Sequence, residues 1–315
     1  MPLFPTSPLD KAKLRSLLAR WLHPQAGELP LSPSDRRKTE QWVIELSWLN
    51  AQGLTPEGNL VATKDPYLET TVTDWLIHFH LSTGDQRLWR YVIGDFMSAQ
   101  ITFTQDELLQ ACIHAFSLES QEQLKKSLKL MLKAYTESNA IAKIQFITKQ
   151  SKKYSKSYPD LSNTYTMGYI FAKLWEDQFQ SRDSILVNEI LSEKVKLGVV
   201  LGIDQDSLKS ELDRLAKHQI IEQRSAKPHS VGIKTQPREE NEFPYQIYRC
   251  WESSLELLEK AYENDIATPN RPLIQSLASV LDDNDSTPDL LKFLEWASRL
   301  SLLERGSNTI VKLAS

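Results

Sequence analysis

Residues 53–81 constrain this chain more than any other stretch. They open with Gly-Leu-Thr-Pro-Glu-Gly-Asn-Leu-Val-Ala-Thr, pass through Lys-Asp-Pro-Tyr-Leu-Glu, and close on Trp-Leu-Ile-His-Phe-His-Leu. Leu54-Thr55 and Leu60-Val61-Ala62 flank the turn-forming residues Pro56-Glu57-Gly58-Asn59, a pattern that predicts a short hairpin. Pro66 bars Asp65 from helical geometry, so the aromatic helix that carries His78 and His80 has to start afresh downstream. Glycine is scarce, ten among 315 residues. That scarcity disfavours glycine-rich phosphate loops and favours helix.

A helix followed by a two-stranded ribbon recurs along the chain. The first copy has a helix from about Ser34, a good N-cap, through Trp42, Val43, Leu46 and Leu49, closed at Gly53 and followed by the 54–62 ribbon. The second runs from a 208–218 helix into Ile220-Ile221-Glu222-Gln223-Arg224, with a return strand at Val231-Gly232-Ile233-Lys234. The third runs from a 290–300 helix into Leu302-Leu303-Glu304-Arg305, a Gly306-Ser307-Asn308 turn and Ile310-Val311-Lys312-Leu313. Helical periodicity also marks 10–23, 75–81, 88–97, 104–116, 121–135, 166–179 and 243–264, with a capping box at Thr104-Gln105-Asp106-Glu107. The expected fold is mainly α, a helical bundle core with winged-helix-like modules. Its divisions are an N-terminal module at 1–64, a helical core at 65–183, a second module at 184–240 and a C-terminal helical region at 241–315. Residues 235–244 and 267–272 are the expected linkers.

The net charge of −4 rules out a globally basic protein, so any nucleic-acid surface has to be local. Cys112 and Cys250 stand far apart and suit a reducing compartment. The first residues lack a signal-peptide pattern, and no apolar run reaches membrane-spanning length, so a cytoplasmic protein is expected.

The strongest local charge lies between residues 125 and 158. Nine lysines there (Lys125, Lys126, Lys129, Lys133, Lys143, Lys149, Lys152, Lys153 and Lys156) face one acid, Glu137, with Tyr135, Phe146, Tyr154 and Tyr158 interleaved. Lysines at this density draw phosphate, and exposed tyrosines stack on bases; a solvated helix face followed by a loop explains the same composition. The candidate DNA-binding residues are Lys149, Lys152, Lys153, Tyr154 and Lys156, with Arg36, Arg37 and Lys38 at the start of the helix before the first ribbon.

Chemistry is harder to read. There is no Walker loop, nucleophile elbow, H-E-x-x-H or cysteine cluster, and no carboxylate-x-lysine pair. His78 and His80 are two apart on a helix and point in different directions, so they do not form a metal pair. The candidate catalytic set is Asp65, Glu69 and His78, close in sequence to Asp74; in a metal-dependent nuclease such carboxylates hold Mg²⁺ or Mn²⁺. Capping and a helix corner are the simpler explanation of Asp65 to Glu69. A non-enzymatic alternative uses a tyrosine stripe (Tyr245, Tyr248 and Tyr262) to hold partner proteins.

The runs Gly-Leu-Thr-Pro-Glu-Gly-Asn-Leu (from Gly53), Asp-Pro-Tyr-Leu-Glu (from Asp65) and Trp-Leu-Ile-His-Phe-His-Leu (from Trp75) resemble the domain-of-unknown-function family four thousand and seven. The resemblance continues through Phe103-Thr104-Gln105-Asp106-Glu107-Leu108 and residues 128–135, and more weakly through 169–179 and 208–215. It implies a prokaryotic setting beside phosphoadenosine-phosphosulfate-reductase-like and ATPase proteins. It also implies a part in DNA phosphorothioation or related anti-phage defence, with DNA as a partner and nicking as an activity found in one member group.

Overall fold

The computed structural model describes residues 5–23, 31–157, 159, 161–180, 182–191, 197–224 and 246–267. Residues 1–265 gather into one compact unit. The expected third helix-plus-ribbon at 290–313 lies outside the described residues, as do the 235–244 linker and the return strand at Val231 to Lys234.

The chain is mostly helical with small antiparallel sheets. It begins with α1 (Lys11–Leu22) and α2 (Pro33–Glu45). Asp10 caps α1 by accepting from the Ala12 and Lys13 amides. Ser32, rather than the expected Ser34, caps α2, with Pro33 in the first turn. α2 ends at Glu45, and Ser47 takes a left-handed φ of 59°. A tight hairpin follows, β1 (Leu49–Asn50) with β2 (Gly53–Leu54), paired Leu49 to Leu54 and Asn50 to Gly53.

The hairpin expected at 54–62 does not form. Pro56–Lys64 is a helix, α3. The same residues that read as a turn are a helix start: the Thr55 hydroxyl accepts from the Gly58 amide at 3.0 Å, Pro56 fills the first turn, and Glu57 adds an acid there. Gly58 is required by a neighbour, because a Cβ at that position would sit 2.1 Å from the Trp48 carbonyl oxygen.

α4 (Thr71–Thr83) is the buried axis of the body, with residues Val72 to Ser82 all inaccessible. A helix buried on every side stands in the centre of a domain, and its polar residues there have to find partners. After it come α5 (Arg87–Tyr91), a π-helical turn (Val92–Phe96) and α6 (Met97–Ala99).

Two sub-structures then repeat one topology. The first comprises β3 (Thr102–Thr104), α7 (Gln105–Ala115), α8 (Gln121–Thr136), β4 (Ile147–Gln150) and β5 (Lys153–Lys156), with sheet order β3-β5-β4. The predicted capping box is present, as Thr104 and Glu107 bond reciprocally. α9 (Thr164–Phe179) leads to the second: β6 (Ser184–Leu186), α10 (Val187–Leu191), α11 (Leu197–Leu201), α12 (Gln205–Lys217), β7 (Ile221–Arg224) and β8 (Gln246–Arg249), with order β6-β8-β7. In both, the last strand lies in the centre and the first and second flank it.

The final described helix is α13 (Ser254–Ala267). A helix from Phe243 was expected, but residues 246–249 are the central strand β8, so Tyr248 belongs to a sheet. Its strand pairs on both edges, and those backbone bonds outweigh the local helical pattern.

Candidate nucleic-acid interface

Asp65 is buried and serves as a cap. Its Oδ1 accepts from the Glu69 amide at 2.9 Å, and its Oδ2 accepts from the Thr70 amide, the Thr70 hydroxyl and the Thr73 hydroxyl at 3.0, 2.7 and 2.6 Å. Thr73 in turn meets the Tyr262 hydroxyl at 2.9 Å. Glu69 is exposed, and its backbone carbonyl accepts from Lys143 Nζ at 2.6 Å. A cavity of about 380 Å³ touches Asp65, but its walls are largely aliphatic, from Leu18, Leu22, Ala62 and Leu68.

His78 is elsewhere in its bonding. One ring nitrogen, Nδ1, pairs with the Tyr135 hydroxyl at 2.7 Å and the other, Nε2, with the Val200 carbonyl at 2.8 Å. A carbonyl can only accept, so Nε2 carries the proton and Nδ1 accepts from Tyr135. Burial lowers its pKa from 6.5 to about 4, which keeps the ring neutral. Both nitrogens are committed to neighbours on α8 and α11. Asp65 and His78 are therefore saturated where they stand, and with Glu69 they do not fit a divalent cation. Among the described residues no three His, Cys, Asp or Glu side chains gather as a metal site.

His80 faces a different cluster, one that sequence reasoning missed. Glu57 Oε1 accepts from Trp48 Nε1 at 3.1 Å and lies 2.5 Å from His80 Nε2, while the Tyr169 hydroxyl donates to Oε2. Burial pushes the Glu57 carboxyl up, but His80 and Tyr169 pull it down further, and the balance lies below the ordinary value. Each partner comes from a different element, so no local spacing announces the cluster. Lys11 on α1 pairs with Asp74 on α4 in a second buried contact. Burial raises Asp74 to about 7 against the pull of Lys11.

The basic residues present a different picture. α8 buries Leu124, Leu128, Met131, Leu132 and Tyr135 and turns Lys125, Lys126 and Lys129 outward. Lys149, Lys152 and Lys153 are exposed around the tip of the β4–β5 hairpin, where Ser151 takes a φ of 56°. None of these six lysines has a salt bridge among the described residues. Lys133 pairs with Glu137 at 2.9 Å. Lys156 is half-buried, and that burial lowers its pKa. Arg36, Arg37 and Lys38 are exposed on α2, with Arg36 tied to Glu40 at 2.8 Å.

The interleaved aromatics face inward instead of outward. Tyr154 stacks on Phe103, its cross-strand partner, with ring centres 5.9 Å apart and planes at 15°, and Lys149 Nζ lies over its ring, 5.4 Å from the centre. Tyr135 and Phe146 are buried around His78. Tyr154 is thus a core residue of its sheet and is not available to stack on a base. Tyr158 lies outside the described residues. The tyrosine stripe proposed for partner proteins dissolves in the same way: Tyr262 is fully buried, Tyr248 lies under the Arg224 guanidinium at 4.1 Å, and Tyr245 lies outside the described residues.

The family model described as "Protein of unknown function (DUF4007)" matches residues 49–247. The chain belongs to that family. The DUF4007 match takes in α3, α4 and both repeats of the strand–helix–hairpin topology. A solved structure titled "Magnesium ion-bound SspB crystal structure" is similar to this chain at a TM-score of 0.59 and 16% identity, covering 84% of this chain and 90% of that one. At that identity the likeness is one of fold. No curated protein matches the chain. Among the described residues no helix is long and apolar enough to cross a membrane.

Proposed function

We propose that this chain is a cytoplasmic DNA-binding component of a prokaryotic DNA phosphorothioation or related anti-phage defence system. It works beside reductase-like and ATPase proteins of that system. It holds DNA through residues 102–156, which we read as a winged helix with α8 as the recognition helix and the β4–β5 hairpin as the wing. One observation carries this reading: six lysines free of salt bridges are gathered on those two elements. Recognition helix and wing are the parts of such a fold that reach DNA. The family resemblance supports the defence setting.

The magnesium named in the SspB title is the support for a metal-dependent nicking activity. The saturated bonds of Asp65 and His78 argue against placing a cation there, so no cleavage step is assigned to them. The test of DNA binding is a titration of duplex DNA across a salt series. Log affinity should fall linearly and steeply with log salt. Absence of binding at 50 mM salt, about the low end of such a series, overturns the proposal.

A further inference from the structure

Resting on that reading, we infer that DNA is held by one of the two matched sub-structures alone, residues 102–156, as a duplex gripped by its phosphates.

On its described residues the second sub-structure carries five cations, and all but Lys217 are paired with one of its own carboxylates or with Asp183 beside it. On α12, Lys209 pairs with Asp206 at 3.3 Å and Arg214 pairs with Glu211. On the hairpin, Arg224 pairs with Glu222 at 2.8 Å, and Arg249 with Asp183 at 2.8 Å. A phosphate reaching these groups has to displace a carboxylate and then face it. Over the whole stretch the difference is plain. Residues 102–156 hold nine lysines against five acids, whereas residues 184–249 hold ten Lys and Arg against ten Asp and Glu. The first is cationic by four charges and the second is neutral.

The form of the nucleic acid follows from what the surface lacks. Phe103, Phe116, Tyr135, Phe146 and Tyr154 are all buried, so residues 102–157 offer no Phe, Tyr or Trp ring to an unpaired base. Single strands bind sequence-tolerantly by stacking on exposed rings, and this surface has none of these three. What remains is a lysine-edged helix and a lysine-tipped hairpin. A helix roughly 10–12 Å across suits the B-form major groove, about 12 Å wide. The A-form major groove is too deep and narrow for it. Lysine is a flexible point charge suited to phosphate rather than to fixed base geometry, so the grip is largely indifferent to sequence.

The test uses the full chain and four ligands: a duplex DNA of about 24 base pairs, a shuffled duplex of equal composition, one of its single strands, and the matching duplex RNA. Two triple variants alter the first sub-structure, K125E/K126E/K129E and K149E/K152E/K153E, and K209E/K217E/R224E alters the second. Lys→Gln versions and thermal melting separate lost charge from lost fold. Each variant of 102–156 should weaken duplex binding by more than about tenfold, and its Gln version should flatten the salt slope by about 2.7, or 0.9 per phosphate released. The 184–249 variant should stay within about twofold, the two duplexes within about threefold of each other, and single strand and duplex RNA at least about tenfold weaker. An equal loss in the 184–249 variant, or a single strand bound as tightly as duplex, overturns this inference while DNA binding itself stands. Failure to bind any of the four ligands overturns both.

Discussion

The sub-structures 102–156 and 184–249 share a strand order, with two helices between the first and second strands in one and three in the other, yet they differ in the use of their charge. In the first, α8 and the hairpin tip present six lysines with no salt bridge. In the second, Lys209, Arg214, Arg224 and Arg249 each have a carboxylate partner. Surface ion pairs contribute little to stability, typically about 0–1 kcal/mol. The difference therefore bears on what each surface can bind more than on how firmly each is folded. A shared topology sets where a helix and a hairpin stand; the residues on their outer faces decide what they meet.

The two are held together through α4. His78 bonds to Tyr135 of α8 on one side and to the Val200 carbonyl of α11 on the other, and packs on Phe146 with ring centres 4.2 Å apart. Phe146 also fills the space beside Gly202, whose φ is 73°. The largest expected effect is accordingly at His78. His78→Leu orphans a buried hydroxyl and a buried carbonyl, each costing about 1–3 kcal/mol, so thermal unfolding should show a loss of roughly 3 kcal/mol. A stability unchanged in that variant would mean the two sub-structures are not joined there. Gly202→Ala comes next, at about 2 kcal/mol, since its Cβ would lie 2.7 Å from the Phe146 ring and its backbone is left-handed.

The pH dependence of stability is a subtler probe of the same axis. Asp74, raised from 3.8 to about 7, contributes stability that is fully present below 3.8 and lost as pH rises toward 7. His78, lowered from 6.5 to about 4, contributes stability that is present above 6.5 and lost as pH falls toward 4. Between about 4 and 6.5 these two slopes oppose each other. Asp74→Asn removes one of them, and stability should then rise with pH across that window. A pH profile in Asp74→Asn no steeper than that of the native chain would contradict the raised pKa of Asp74. The smallest effect on stability is expected at Lys152: Lys152→Ala should leave it within about 0.5 kcal/mol while flattening the DNA salt slope by about 0.9. Those two readouts separate the binding surface from the scaffold.

Much of the helical framework was legible because it is written in local spacing. The Thr104/Glu107 capping box, the 121–135 helix and the 221–224 strand follow from residues within one or two turns of each other. The segment 54–62 misled because Pro-Glu-Gly-Asn suits both a turn and a first helical turn, and the Thr55 cap decides for the helix. Tyr248 misled because its strand is stabilised by β6 and β7, which stand far away in sequence. The lysine-rich segment was visible as composition, but which lysines face outward was not. The outward face of α8 adds Lys125, Lys126 and Lys129 to the exposed lysines, and sheet packing withdraws Tyr154.

The sequence by itself determined the helical class, the family and the place where positive charge concentrates, since each rests on composition or on short-range pattern. Tertiary structure alone decided the fate of the histidines and of Asp74, whereas the capping bonds of Asp65 stay within eight residues. Residues 53–81 look reactive on paper, yet Asp65, His78 and His80 are each bound to partners, and His78 reaches 57 and 122 residues along the chain for its two. Burial forces polar groups to find partners, and the fold chooses which.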